Sequence, residues 1–141
     1  MAKTRALIDV DVLLDTLAKR EPHYESSSQV LVAIERGNLD GLVAAHTLTT
    51  LFYLVAKYSS RETARRALND LLSLLEVATV DRETIEAALA LPVEDFEDAV
   101  QMAAAVKAGA EYLVTRNVKD YKEGPLPAIS PAEFLPLIES D

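Results

Sequence analysis

The sequence predicts an α/β fold, a single three-layer α/β/α domain with a mainly parallel central sheet. Three observations predict it. Short continuous apolar runs such as ALI and YLV alternate with longer stretches of helical periodicity, and turn signals fall between them. Half of the residues are hydrophobic but only 6% are aromatic, so the core is Leu, Ala and Val, a mixture for helices and buried strands. Strand and helix take turns along the whole chain, which is the order that wraps helices around a parallel sheet.

Each element has its own reason. Arg5 to Asp9 reads as a buried strand on Ala6, Leu7 and Ile8. A short helix over Val12 to Leu17 follows, then a longer one over Glu25 to Arg36, closed by Gly37 and Asn38. Leu42 to Ala45 is the second strand. Thr47 to Lys57 is a helix with Leu48, Leu51, Phe52 and Val55 on one face. Ser60 caps the next helix, whose stripe is Ala64, Ala67, Leu68, Leu71, Leu72 and Leu75. Val77 to Val80 is a third strand, and Glu83 to Leu89 a helix ended by Pro92. Asp95 opens a helix to about Lys107, with Asp98 in its first turn, and Gly109 stops it. Tyr112 to Val114 is the fourth strand, Leu126 to Ile129 an edge strand between prolines, and Ser130-Pro131 starts a last helix to Ile138. The 141 residues show no repeat, low-complexity tract or linker, so one domain over 1–141 is expected.

Parallel sheets gather functional groups beyond the carboxyl ends of their strands. Asp9, His46 and the Thr115 to Asn117 segment all follow such ends. Asp98 begins the helix that runs antiparallel into the fourth strand, so it belongs to the same edge, with Asp120 close behind. Carboxylates gathered at one place repel one another unless divalent cations lie between them. That is the pattern of a metal-dependent phosphodiesterase site. Hard cations prefer oxygen ligands, and Mg takes one or two protein carboxylates while keeping several waters. Asp9 and Asp98 suffice for one ion, with Asp120 or Asp11 as an outer ligand. Taken singly, Asp98 also reads as an acid favouring its helix dipole and Asp9 as a turn residue; their convergence favours the metal.

Composition excludes several alternatives. The chain has no cysteine, so disulfides, thiolate catalysis and zinc ribbons are ruled out. Its apolar runs are shorter than a membrane span and MAKTRALID leads straight into a strand, so a soluble cytoplasmic protein is expected. There is no glycine-rich phosphate loop. The formal charge of −9 argues against a nucleic-acid partner, because non-specific affinity comes from Lys and Arg. Part of that charge belongs to the acid cluster, however, and Lys57, Arg61, Arg65 and Arg66 form one basic segment while Arg116, Lys119 and Lys122 lie beside the acids. Arg116 and Lys119 either hold phosphate or balance those acids. His46 is either a substrate contact or general acid, or a hydrogen-bonded structural residue.

At LIDVDVLLD, AAHTLTTLFYLVAK and DFEDAVQMAAAVKAGAEYLVTRNVKDY the chain resembles the PIN-domain ribonucleases, in particular the VapC-like toxins of toxin–antitoxin pairs. The last segment is the most specific, joining a helix-borne Asp, an apolar strand and T-R-N-x-x-D in order. The resemblance implies a divalent-metal-dependent endoribonuclease that hydrolyses RNA phosphodiesters with Mg or Mn and an activated water. It also implies frequent homodimers and an antitoxin protein as partner. Position by position, Asp9 and Asp98 match the acidic ligands, Asn117 and Asp120 the later polar and acidic positions, and Thr115 the small hydroxyl residue beside the site. The family usually has Asn where this chain has Asp11, and a Glu at the start of the third helix where it has Thr50. That second departure supports an alternative, a catalytically weakened PIN-like module that binds RNA or protein. A receiver-like phosphoacceptor fits poorly, since Asp40 and Asp81 do not follow the required strand order. The Leu68, Leu71, Leu72 and Leu75 stripe with Leu51, Phe52 and Tyr53 is expected to leave apolar surface for a dimer or an antitoxin helix.

Overall fold

The computed structural model describes residues 3–138. Its strands are β1 (Arg5–Ile8), β2 (Asp40–Ala44), β3 (Glu76–Ala78), β4 (Tyr112–Val114) and β5 (Ala128–Ile129). They form one sheet in the order β3-β2-β1-β4-β5, with every adjacent pair parallel. Parallel neighbours need crossovers: α1 (Val10–Leu17) and α2 (Tyr24–Glu35) join β1 to β2, α3 (Ala45–Tyr58) and α4 (Arg61–Leu74) join β2 to β3, and α5 (Arg82–Leu89) and α6 (Phe96–Lys107) join β3 to β4. A 3₁₀ turn over Val118–Tyr121 lies between β4 and β5, and α7 (Pro131–Phe134) follows β5.

Two cores lie on the two faces of the sheet, and the strands sort residues between them by strict alternation. Ala6, Ile8, Val43 and Val114 face α1, α2, α3, α4 and α7, while Leu7, Leu42, Ala44 and Leu113 face α5 and α6. The result is the expected three layers. Burial on both faces explains why β1 and β2 are continuous apolar runs rather than alternating ones.

Helix boundaries follow their signals where signals exist. Gly37 and Gly109 take φ of +81° and +78° just past α2 and α6, a conformation that glycine adopts without strain. The amides of Asn38 and Ala110 then reach back to the carbonyls of Ala33 and Ala105, both at 2.9 Å. Ser60, Asp95 and Ser130 each cap their helix through the side chain. Several boundaries differ from the sequence reading: α1 starts two residues early at Val10, β2 starts two early at Asp40 and ends at Ala44, and β5 is only Ala128–Ile129. Helix α3 starts at Ala45, directly from β2, because extended Ala44 serves as its N-cap with no side-chain bond to advertise it. Strand β3 stops at Ala78, two residues early. The last helix is α-helical only to Phe134 and then tightens to a 3₁₀ turn over Leu135–Leu137, since Pro136 has no amide to continue an α-helix.

Candidate active site

Asp9 stands at the junction of β1 and α1, where the chain leaves the central strand of the sheet. Its amide donates to the Val114 carbonyl at 3.0 Å, prolonging the pairing with β4. Its side chain is the N-cap of α1, accepting from Val10 N at 2.7 Å through Oδ1. It is 5% exposed, and Thr115 Oγ1 donates to its Oδ2 at 2.7 Å. Thr115 in turn accepts the amide of Asn117 at 3.0 Å. Asn117 Nδ2 then donates to Asp11 Oδ2 at 2.9 Å, so the T-R-N segment cradles both acids of the first motif.

Asp98 enters from α6. Asp95 Oδ1 accepts the Asp98 amide at 3.0 Å, which caps the helix and leaves the Asp98 carboxylate free of that duty. No reciprocal capping box forms, because Asp98 Oδ1 instead accepts from Tyr121 OH at 2.8 Å. Tyr121 OH also accepts from Gln101 Nε2 at 2.8 Å, and the same Gln101 nitrogen reaches Asp9 Oδ1 at 3.3 Å. The two acids are thereby linked through a neutral chain, Asp9–Gln101–Tyr121–Asp98. Thr47 Oγ1 closes it from α3, donating to Gln101 Oε1 at 3.4 Å.

Asp9, Asp11, His46, Thr47, Glu97, Asp98, Gln101 and Asn117 line one small cleft of about 80 Å³. Asp98 also borders a larger cleft of about 630 Å³ with Asp95, Lys119, Asp120 and Lys122. Asp120 lines that larger cleft and not the inner one. Arg116 turns the other way, with its guanidinium against Asp15. His46 is tied across to α6, its Nε2 3.1 Å from the Glu97 carbonyl, while Nδ1 is buried without a partner. Thr50, half-buried, is not among the residues that line the inner cleft; it lies one turn beyond Thr47 on α3.

The electrostatics follow from this geometry. Burial, more than anything else, raises the pKa of Asp9, against the lowering effect of its bonds from Thr115 and Gln101. Asp98 is pushed up to about 6, first by burial and then by the charges of Asp95, Asp9 and Asp120. The Tyr121 hydroxyl is pushed above its ordinary value by burial and by Asp9 and Asp98, so it remains a donor at neutral pH. Both carboxylates resist ionisation, neither has a Lys or Arg bonded to it among the described residues, and a cation beside them would favour their charged forms. Among the described residues no group of three or more His, Asp or Glu side chains is gathered closely enough to cage a metal. Asp9 and Asp98 are the residues that could hold a cation, and two carboxylates are a donor set for an ion that keeps most of its water.

Gln101, Tyr121 and Thr47 are the site residues that sequence reasoning missed. Gln101 carried a signal: it is a lone polar residue in the apolar run AVQMAAAV, three positions after Asp98 and so on the same helix face. Tyr121 carried none, since its partners are 20 and 23 residues away.

The fold recurs in known structures. The chain matches the VapBC2 complex from Rickettsia felis bound to a DNA fragment from its promoter, at 20% identity and TM-score 0.70, covering 90% of this chain and 98% of that one. A toxin–antitoxin complex from Klebsiella pneumoniae matches at 26% identity and TM-score 0.68, over 89% and 97%. VapC20 from Mycobacterium tuberculosis, a sarcin–ricin loop cleaving toxin, matches at 15% and 0.63, over 77% and 86%. No curated protein sequence matches the chain. The PIN domain family profile matches residues 5–119, from the first residue of β1 past Asn117, and this chain belongs to the PIN-domain family.

Proposed function

We propose that the chain is a divalent-metal-dependent endoribonuclease, the toxin of a toxin–antitoxin pair. The observation that carries this reading is the linked pair Asp9 and Asp98, lining one cleft at the carboxyl edge of a PIN sheet. Asp9 and Asp98 would hold Mg or Mn. Such a cation supplies Lewis-acid polarisation of the scissile phosphate and a more acidic water. The protein's own residues do the rest. Thr115 and Gln101 fix the two oxygens of Asp9, and Tyr121 fixes Asp98, so neither carboxylate has to reorganise when substrate arrives. Asn117 holds Asp11 at the rim, where it can order water. Lys119 and Lys122 in the adjoining cleft offer charge to the RNA backbone beside Asp120.

An antitoxin partner is part of the proposal, supported by the solved toxin–antitoxin complexes of the same fold. An apolar groove of about 520 Å³ between α1, α3 and α4, floored by Leu14, Leu17, Leu54 and Val55, could receive it. The expected association stripe is split by the structure: Leu51, Leu71 and Leu75 turn into the core, whereas Leu72 and Tyr53 remain exposed and available to a homodimer. Among the described residues no helix is long and apolar enough to cross a membrane.

The test is direct. Purified protein should cleave single-stranded RNA with Mn or Mg, and Asp9→Asn or Asp98→Asn should lose activity. The second reading, a binding module without turnover, is favoured by the neutral α3 contribution, where only His46 and Thr47 line the cleft. Manganese binding at Asp9 and Asp98 with intact RNA after prolonged incubation would select it.

A further inference from the structure

Beside the acid cleft, on the β4–β5 side, lies a pocket of about 310 Å³ that the proposed reaction does not use. Arg116, His23, Ser26, Ser27 and Ser130 line it with two prolines and an alanine, and no acidic residue does. In a chain of charge −9 that contrasts with the cleft beyond Asp98, which five acids line. Resting on the endoribonuclease reading, we propose that this pocket binds a phosphate of the RNA strand next to the one being cut.

The pocket is built on a buried carboxylate. Asp15, fully buried in α1, holds two guanidiniums at once: Arg20 Nε at 2.9 Å from Oδ1 and Arg116 Nε at 2.8 Å from Oδ2. Ser27 Oγ donates to Asp15 Oδ2 at 3.2 Å as well. Arg20 pairs with Asp11 as well, at 3.6 Å, so Asp15 is left chiefly to position Arg116. The Arg116 Nε–H is not aimed at Asp15, so that contact is Coulombic; only Nη2 makes an aligned bond to Asp15, at 3.3 Å. Nη1 makes no bond among the described residues, and a guanidinium has five N–H groups to give. Arg116 is thus anchored by charge and still unsaturated as a donor. Ser26 makes no side-chain bond among the described residues either, and α2 starts at this pocket without a side-chain cap on its first amides. Glu133 lies near the rim, but it is engaged by Ser130 Oγ at 3.1 Å.

Position assigns the ligand. Thr115 bonds Asp9 and Asn117 lines the acid cleft, while Arg116 between them faces the pocket. Neighbouring Cα atoms are about 3.8 Å apart, so the two sites are adjacent along any strand crossing this edge. With Ser27 and Ser130 donating their hydroxyl protons to Asp15 and Glu133, the donors left to the pocket are the Ser26 hydroxyl, the uncapped amides that open α2 and the braced Arg116 guanidinium, a set that recognises a phosphate rather than a base.

Two measurements separate this pocket from the nuclease reading. Inorganic phosphate titrated into isotope-labelled protein at fixed ionic strength should shift the amides of Ser26, Ser27, Arg116 and Ser130 saturably. Ser26→Asp, which removes no bond and suits a helix first turn, should abolish those shifts in a folded protein. In Asp98→Asn protein, single-stranded RNA affinity should fall about tenfold on adding Arg116→Gln or Ser26→Asp, with a salt dependence shallower by about one ion. Absent phosphate shifts, with RNA affinity indifferent to both changes, would overturn the pocket and leave the nuclease intact. Saturable phosphate shifts in a protein that never binds RNA would overturn the RNA assignment and the nuclease reading together.

Discussion

Thr115 and Asp9, each just past the end of its strand, join the neighbouring strands β4 and β1 by a buried 2.7 Å hydrogen bond. Both residues sit at the last turn of the backbone before it leaves the sheet, and Thr115 passes the constraint on to Asn117. The hydroxyl does two things at once: it orients the carboxylate and partly offsets the cost of burying its charge.

Thr115→Val keeps the shape and removes the donor. Cleavage at saturating Mn should fall roughly 10- to 100-fold, the usual effect of losing a partner of a metal-holding side chain. Unfolding free energy without metal should drop by about 1–3 kcal/mol, because a buried carboxyl oxygen loses its donor. Denaturant melts and initial rates on one RNA check both.

Tyr121→Phe cuts the chain between the acids at its centre. Asp98 loses its donor and Gln101 Nε2 loses one acceptor. Mn affinity should weaken, whereas RNA binding in the absence of metal should not change. Gln101→Leu should produce the same Mn defect by freeing Asp9 instead. If calorimetry finds Mn affinity unchanged in both variants, the chain is scaffolding for the core and has no bearing on the acids.

The pattern of what was legible in the sequence follows from the range of each interaction. Asp95 as cap, Gly37 and Gly109 as stops and ALI as a buried strand are local chemistry, read within a few residues. The convergence of Asp9 with Asp98 was legible too, because strand–helix alternation fixes which ends of the elements share an edge. Asp15 was not: an acid in the run DVLLDTL looks like a solvated position until Arg20, Ser27 and Arg116 are seen to converge on it. Arg116 and Asp120 were placed beside the acids by sequence proximity; the backbone turns Arg116 to Asp15, while Asp120 shares the larger cleft with Asp98 and its charge acts on that acid.

Asp15 supplies a stability prediction of its own. Asp15→Asn keeps the volume but leaves two guanidiniums, 38% and 26% exposed, without their common counter-ion. A loss of about 3 kcal/mol is expected, the scale of breaking a buried pair from one side. Chemical denaturation at two salt concentrations checks it, with the deficit persisting at high salt because Asp15 is screened from solvent.

Stability should also depend on pH in a direction set by the acid pair. Asp98, at about 6 in the folded protein against 3.8 unperturbed, binds more protons folded than unfolded between those values. Without metal, its contribution therefore makes the protein less stable as pH rises from about 4 to 6, and flat above. Asp81 acts oppositely and lower: its bond from Lys107 holds it at about 2, so its contribution is lost as pH falls through that range. Thermal melts of the metal-free protein should show the decline between pH 4 and 6, and Asp98→Asn should flatten it. A slope of unchanged size in that variant would mean that Asp98 is not the group whose raised pKa sets it.

Thr50 is the last and most specific test. It stands three residues after Thr47 and four after His46, so it shares their helix face, one turn away from the inner cleft. A threonine is too short to cross that turn, and the space next to Asp9 is taken by the neutral amide of Gln101, braced by Thr47. Thr50→Glu adds two carbons of reach and one negative charge. A unit charge about 4 Å from a divalent ion is worth about 2 kcal/mol even at the dielectric of water, and somewhat less once the acids already present repel it. Mn affinity should therefore tighten by about fivefold or more, and RNA cleavage should rise with it. The added carboxylate should also lower stability without metal, since Asp9 and Asp98 already resist ionisation. Unchanged Mn affinity by calorimetry, in a protein that melts like the parent, would show that residue 50 does not face the acids and that α3 contributes only His46 and Thr47.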